Sequence, residues 1–247
     1  MQPKQTPFSL FISDLHLSQG HPHSTELFLR FATDIAPKAE ALYILGDLFE
    51  YWAGDDDVGD PFHLRITDAL RQLNAQGTRI FIMHGNRDFL MEEELGSACN
   101  ATLLNDPTVL DLYGTPTLLS HGDTLCTDDA EYKRFREQVR DSDWQTRFLA
   151  QPLAQRKAQI EQLRQQSETQ KRSKEMTLMD VSDTAVNELL RQHHYPRLIH
   201  GHTHRPAKHL HQVDGRTCER WVLGDWDSKA NALRCDKDGI RWESIPD

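Results

Sequence analysis

Apolar residues in this chain come in short blocks that stop abruptly at polar residues with chemistry to offer. Residues 8–12 (FSLFI), 41–45 (ALYIL) and 79–83 (RIFIM) read as buried strands, because each is a brief apolar run closely followed by turn formers. Helical spacing between them predicts helices over residues 24–36, with Ser24 as a cap, and 61–76, with Pro61 in the first turn and Gly77 just past the end. Strand and helix alternating in this way imply β-α-β units and an α/β layered core with crossover connections.

The pattern changes beyond residue 105. Residues 108–112 and 117–120 read as strands around Tyr113-Gly114-Thr115-Pro116, a tight hairpin, so mixed or antiparallel sheet is expected in this half. Residues 129–175 are rich in Gln, Arg, Lys and Glu, and their sparse apolar positions are spaced for a helix face: Phe135, Val139, Phe148, Leu149, Leu153, Ile160 and Leu163. Two or three helices broken near Pro152 are expected there, either as an insertion sitting on the core or as a solvated structural hairpin. A helix over 181–192 and a strand over 197–199 follow. The tail reads as strands at 207–213, 217–223, 232–235 and 240–242, with hairpins at Asp214-Gly215 and Asp238-Gly239.

Composition then narrows the class. The 247 residues suffice for one large domain with a substantial core. The formal net charge of -10 argues against a general nucleic-acid binder, since phosphate backbones select basic surfaces. Cys99, Cys126, Cys218 and Cys235 form no C-x-x-C pair and are expected to be free thiols. No stretch approaches the roughly 18 apolar residues of a membrane span, and the N-terminal region lacks the apolar run of a cleaved signal peptide.

Candidate chemistry sits where the strands stop. Asp14-x-His16, Gly46-Asp47, Gly85-Asn86-Arg87-Asp88, His121-Gly122-Asp123 and Gly201-His202-x-His204 each follow an apolar block. Loops at the carboxyl ends of strands are where α/β sheets carry their sites. The donors are carboxylate, imidazole and one amide oxygen, which suits Mn, Fe or Zn and does not suit a thiolate site. Two-metal hydrolases hold their ions about 3.5–4 Å apart, and Asp47 is the candidate bridge. Each element alone is weak; the ordered set of five is specific. No G-x-S-x-G elbow and no P-loop string is present.

This series resembles the calcineurin-like metallophosphoesterases. Longer strings are similar to the bacterial UDP-2,3-diacylglucosamine pyrophosphohydrolases of lipid A synthesis: ISDLHLS (12–18), LGDLFEYWAGDD (45–56), HGNRDFL (84–90), LSHGDTLCTDDAEYKRFR (119–136), MDV (179–181) and IHGHTHRP (199–206). The resemblance implies an αββα sandwich of two mixed sheets, one domain over residues 1–247, with a helical lid at 129–175. It implies one metal on Asp14, His16 and His204, a second on Asn86, His121 and His202, and Asp47 between them, with Mn²⁺ the expected ion. Asn86 and Arg87 would be catalytic. Asn86, Arg87, Asp129, Tyr132, Arg164, Ser167, Lys171, Lys174 and His202 would contact a UDP-diacylglucosamine lipid. Peripheral contact with the anionic inner membrane from its cytoplasmic side is implied, aided by Arg156, Lys157, Arg164, Lys171, Arg172 and Lys174. No nucleic acid and no obligate protein partner is implied.

Two other classes compete. A soluble-nucleotide hydrolase of the same superfamily needs no acyl chamber, so the helical stretch discriminates against it. A non-catalytic scaffold on the same fold would have lost ligands, and none is missing. Trp52, Trp226 and Trp242 are candidates for either the site or the core. Asp225, in L-G-D-W, sits in a ligand-like context and is assigned at most a supporting role.

Overall fold

The structure is a computed structural model that describes residues 6–171, 180–227 and 230–246, with the backbone alone for 165–171. Two mixed sheets form its centre. The first has the order β11-β10-β1-β2-β3-β4, built from β1 (Phe8–Ile12), β2 (Ala41–Leu45), β3 (Arg79–Met83), β4 (Ala101–Leu104), β10 (Asn231–Asp236) and β11 (Gly239–Ser244). The second has the order β5-β6-β7-β9-β8, from β5 (Thr108–Leu112), β6 (Thr115–Ser120), β7 (Arg197–His200), β8 (Ala207–Val213) and β9 (Arg216–Val222). Strands β1 to β4 are parallel, as are β6, β7 and β9; the outer pairs are antiparallel.

The apolar blocks are continuous because the central strands are buried on both faces. Side-chain alternation sorts each block between two cores. Leu10, Ile12, Leu42, Ile44, Ile80 and Ile82 face the helices α1 (Pro22–Arg30), α2 (Pro61–Ala75) and α3 (Glu93–Cys99). Phe11, Tyr43, Leu45 and Met83 face the second sheet and meet Leu119, Ile199, Trp221 and Leu223. Across β1, β2 and β3 the rings of Phe11, Tyr43 and Phe81 stack in register at 4.8 and 4.7 Å. On the far face of the second sheet, α7 (Asp183–Gln192) seals a third core with Val186 and Leu190. The layers are therefore α, β, β, α.

Between the two halves run α4 (Ala130–Arg140), α5 (Ser142–Leu149) and α6 (Leu153–Lys171). Asp129 caps α4 and Asp141 caps α5 by accepting from backbone N–H groups in each first turn, and Pro152 immediately precedes α6. Phe148 joins the helix-side core, and Trp144, Leu149 and Ile160 pack against it. A merely solvated hairpin would not bury these groups. Arg156 departs from the surface role expected of it: only 2% exposed, it donates to the Ala53 carbonyl and the Asp56 carboxylate. Lys157 pairs with Asp57 at 2.7 Å and Arg164 with Glu50 at 2.9 Å, so these three cations hold α6 to the core. Arg172 and Lys174 lie outside the described residues.

Other expectations shift by a few residues. The first helix begins at Pro22 and passes through a π turn (Phe31–Ile35) and a 3₁₀ turn (Ala36–Lys38). The hairpin after β5 is the two-residue Tyr113-Gly114, both at positive φ, and Thr115 and Pro116 already belong to β6. Helix α3 and strand β4 escape pattern analysis, because α3 is only 7 residues long and β4 has no fully buried position. Trp226 is core, at 1% exposure, with its ring against Phe28 and Phe31. Trp242 lies half-exposed on β11 against Trp221. Truncating Trp226 to Ala should destabilise the fold by about 3–5 kcal/mol, measured by urea unfolding; a loss below 1 kcal/mol would place this ring outside the core.

Candidate metal centre

Five loops converge where β1, β2, β3, β6 and β7 end. Backbone bonds lace the first two together: Asp14 N–H donates to Gly46 O at 3.1 Å, and the N–H groups of Leu15 and His16 both donate to Asp47 O, at 2.9 and 3.0 Å. Asp14, His16, Asp47, His202 and His204 all hold positive φ, between 50° and 69°. That region costs an L-residue about 1–2 kcal/mol, and Asp and His are among the few that tolerate it. Gly85 has no alternative, since a Cβ there would run into the Asp47 carboxylate.

The side chains form two groups. In the first, His204 Nε2 lies 3.4 Å from both His16 Nε2 and Asp14 Oδ1. In the second, Asn86 Oδ1 lies 3.0 Å from His121 Nε2 and 2.9 Å from His202 Nδ1. Asp47 Oδ2 stands between the groups, 3.9 Å from His16 Nε2 and 3.8 Å from His121 Nε2. Its other oxygen accepts from Arg87 N–H at 2.8 Å. Asp14 Oδ1 is buried, and its one near neighbour is the His204 imidazole at 3.4 Å, with no well-formed hydrogen bond. Lone pairs aimed at shared points, with one buried oxygen unsatisfied, fit a pair of divalent cations.

Electrostatics agree. Burial opposes charge on His204, yet the Asp14 and Asp225 carboxylates beside it hold it up at about 10. Burial likewise opposes charge on His121, but Asp47, Asp14 and Asp123 raise it to about 9. His202, buried beside His121, is pushed down to about 4. The carboxylates thus draw protons onto their neighbours, and metal binding would displace them.

A supporting ring fixes which nitrogen faces the centre. His121 Nδ1 lies 2.9 Å from Leu45 O, His16 Nδ1 3.1 Å from Glu50 Oε2, and His204 Nδ1 3.3 Å from Asp225 Oδ2. Asp88 accepts from the N–H groups of Gly85, Asp47, Leu48 and Phe49, tying the second loop to the third; burial and Asp47 push its carboxyl up to about 6. Burial opposes ionisation of Glu50 too, but His16, Arg87 and Arg164 hold it down at about 2. Sequence reasoning passed over Glu50 and the role of Asp88, although both lie inside motif strings.

Above the centre opens a cavity of about 730 Å³. Its floor includes His16, Asp47, Asn86, Arg87, His202 and His204; its walls include Phe89, Val139, Trp144, Phe148, Ile160 and Leu163. Asp129 lines it beside the α4 cap. The Tyr132 hydroxyl donates to Asp123 at 2.9 Å, and its ring lies 5.8 Å from that of His202. Arg164 Nε donates to Glu50 at 3.0 Å, and its guanidinium sits over the Tyr51 ring. Ser167 and Lys171 fall on α6, but their side chains lie outside the described residues, as does Lys174 altogether. All four cysteines are buried and outside any disulfide, and Cys126 lines the cavity.

Comparison with known proteins gives a match to the calcineurin-like phosphoesterase family over residues 9–206. A protein of Aromatoleum aromaticum named UDP-2,3-diacylglucosamine hydrolase is 54% identical over 94% of both chains. Proteins of the same name from Edwardsiella ictaluri and Pseudomonas paraeruginosa are each 48% identical over 96% of this chain, covering 92% and 98% of their own lengths.

Replacing Asp225 by Asn should weaken metal retention on the His204 side by about 10–100-fold, measured as metal content after dialysis against a graded chelator. Retention equal to that of the unaltered protein would remove Asp225 from the supporting ring.

Proposed function

This chain belongs to the calcineurin-like phosphoesterase family, and we propose that it hydrolyses the pyrophosphate of UDP-2,3-diacylglucosamine to UMP and 2,3-diacylglucosamine 1-phosphate, the substrate in its relatives' name. One observation carries this: a single cavity joins a polar, ligand-rich floor to an apolar wall supplied by α4, α5 and α6. Acyl chains need the wall and a diphosphate needs the floor. A soluble nucleotide would need only the floor.

In this reading Asp14, His16 and His204 would hold one divalent ion and Asn86, His121 and His202 the other, and Asp47, standing between the two groups, would serve both. The mixed oxygen and nitrogen donors favour Mn²⁺ over softer ions. Such ions supply Lewis acidity and lower the pKa of water. The protein does the rest. Arg87, with its backbone N–H on Asp47 Oδ1 and its guanidinium 3.8 Å from Glu50, presents a fixed fork of donors to the phosphoryl oxygens. Tyr132, Asp129 and Arg164 frame the entry of the glucosamine; Ser167, Lys171 and Lys174, whose side chains lie outside the described residues, are proposed as further contacts to the same substrate. The apolar walls exclude water from the acyl chains.

Access to the lipid follows from the same surface. No described helix is long and apolar enough to cross a membrane. Phe135 and Leu163, 39% and 40% exposed, line the chamber and face outward, which supports peripheral docking of the chamber side on the cytoplasmic face of the inner membrane. The net charge of -10 leaves nucleic acid out as a partner, and hydrolysis requires no second protein.

With Mn²⁺, the purified chain should release UMP from UDP-2,3-diacylglucosamine and leave UDP-glucose nearly untouched; equal turnover of both would overturn the lipid assignment. Arg87→Ala should lower kcat by about 10²–10³ with metal content retained, as read by parallel kinetics and metal analysis. Ile160→Trp, which fills the chamber, should shift preference toward shorter acyl chains, and an unaltered chain-length profile would place the acyl groups elsewhere.

A further inference from the structure

A second cavity, of about 210 Å³, adjoins the His202 to His204 segment. Thr203 and Arg205 line both cavities, and the candidate ligands His202 and His204 flank Thr203. The wall of the small cavity includes Asp180, Ala207, His209 and Arg220. Asp180 comes from the Met179-Asp180-Val181 string, to which the metal chemistry gives no task.

Arg220 is the unusual group. It is 5% exposed, and no carboxylate among the described residues pairs with it. Its Nε donates to His211 Nε2 at 3.0 Å and its Nη1 to His200 Nε2 at 3.2 Å. Nη2 donates to no described residue. A buried guanidinium whose bonded partners are two imidazoles keeps its remaining donors available to an acceptor in the cavity. Asp180, bonded to Val181 N–H and to Arg205, adds an acceptor to the same wall.

A substrate whose scissile bond lies mid-molecule needs two pockets meeting at the metals. We infer that the small cavity is the subsite for the uridine end, with Arg220 donating to a uracil carbonyl and Asp180 accepting from the ring N3–H. This rests on the proposed reaction and deepens it: the acylated sugar lies in the large chamber, the base in the small one, and the pyrophosphate over the segment between. At about 210 Å³ the space suits one pyrimidine ring and is far too small for acyl chains. Cytosine offers a lone pair at N3 where uracil offers a proton, so it meets the Asp180 carboxylate unfavourably.

The test is calorimetric binding of UMP, CMP, uridine and cytidine to the full chain loaded with Mn²⁺. UMP is expected to bind about tenfold or more tightly than CMP, and uridine more tightly than cytidine, because a donor-reading site rejects the analogue that lacks the donor. Asp180→Asn, whose amide serves either base, should collapse the preference. Ala207→Trp, which fills the cavity from β8, should weaken all four ligands together. Equal binding of UMP and CMP, or a preference untouched by Asp180→Asn, would overturn the subsite and leave only a phosphate contact. Lipid turnover without base preference would sink the subsite alone; base preference without lipid turnover would sink the reaction and keep the subsite.

Discussion

Two carboxylates, Asp14 and Asp47, are buried at 0% and 2% exposure where two sheets meet. Negative charge cannot stay there without a positive partner, and the surroundings answer that demand. Imidazoles gather around them, Asp88 organises the backbone that carries one of them, and Glu50 and Asp225 hold the outer nitrogens of His16 and His204. The fold contributes direction. Parallel strands β1, β2 and β3 in one sheet and β6 and β7 in the other end at the same place, so each apolar block delivers its donors to one point.

Much of this was legible in the sequence, for identifiable reasons. Strands β1, β2 and β3 read clearly because burial on both faces makes them unbroken apolar runs. The candidate ligands stood out because they follow those runs at once. Helix α3 and β4 were not legible, since a short helix and a half-exposed strand leave little periodic signal. The second sheet was read only as mixed; its order depends on contacts between segments far apart in the chain, and pairing β7 with β9 leaves no local mark.

Charged residues were the least transparent. Arg156, Lys157 and Arg164 look alike in sequence, as cations on an amphipathic stretch. In the structure each is committed to an acidic loop: Arg156 to Asp56, Lys157 to Asp57, Arg164 to Glu50. Which partner a long side chain finds is a three-dimensional fact. Glu50 shows the same limit, because its value lies in touching His16, Arg87 and Arg164 together. Helix α6 is thereby coupled through one carboxylate to both His16 and Arg87 on the cavity floor.

The left-handed backbone at Asp14, His16, Asp47, His202 and His204 has a consequence for how such a centre changes over time. That conformation admits Gly, Asn, Asp and His readily and resists β-branched or bulky residues. The alphabet open to these positions is therefore almost the alphabet of hard and borderline metal donors. Substitutions among Asp, Asn and His alter charge and ion preference while the chain path stays intact, whereas a drift toward Val or Ile is opposed by backbone sterics before any ion is lost. The loops thus filter their own mutations, keeping the centre adjustable in its ion and conservative in its shape.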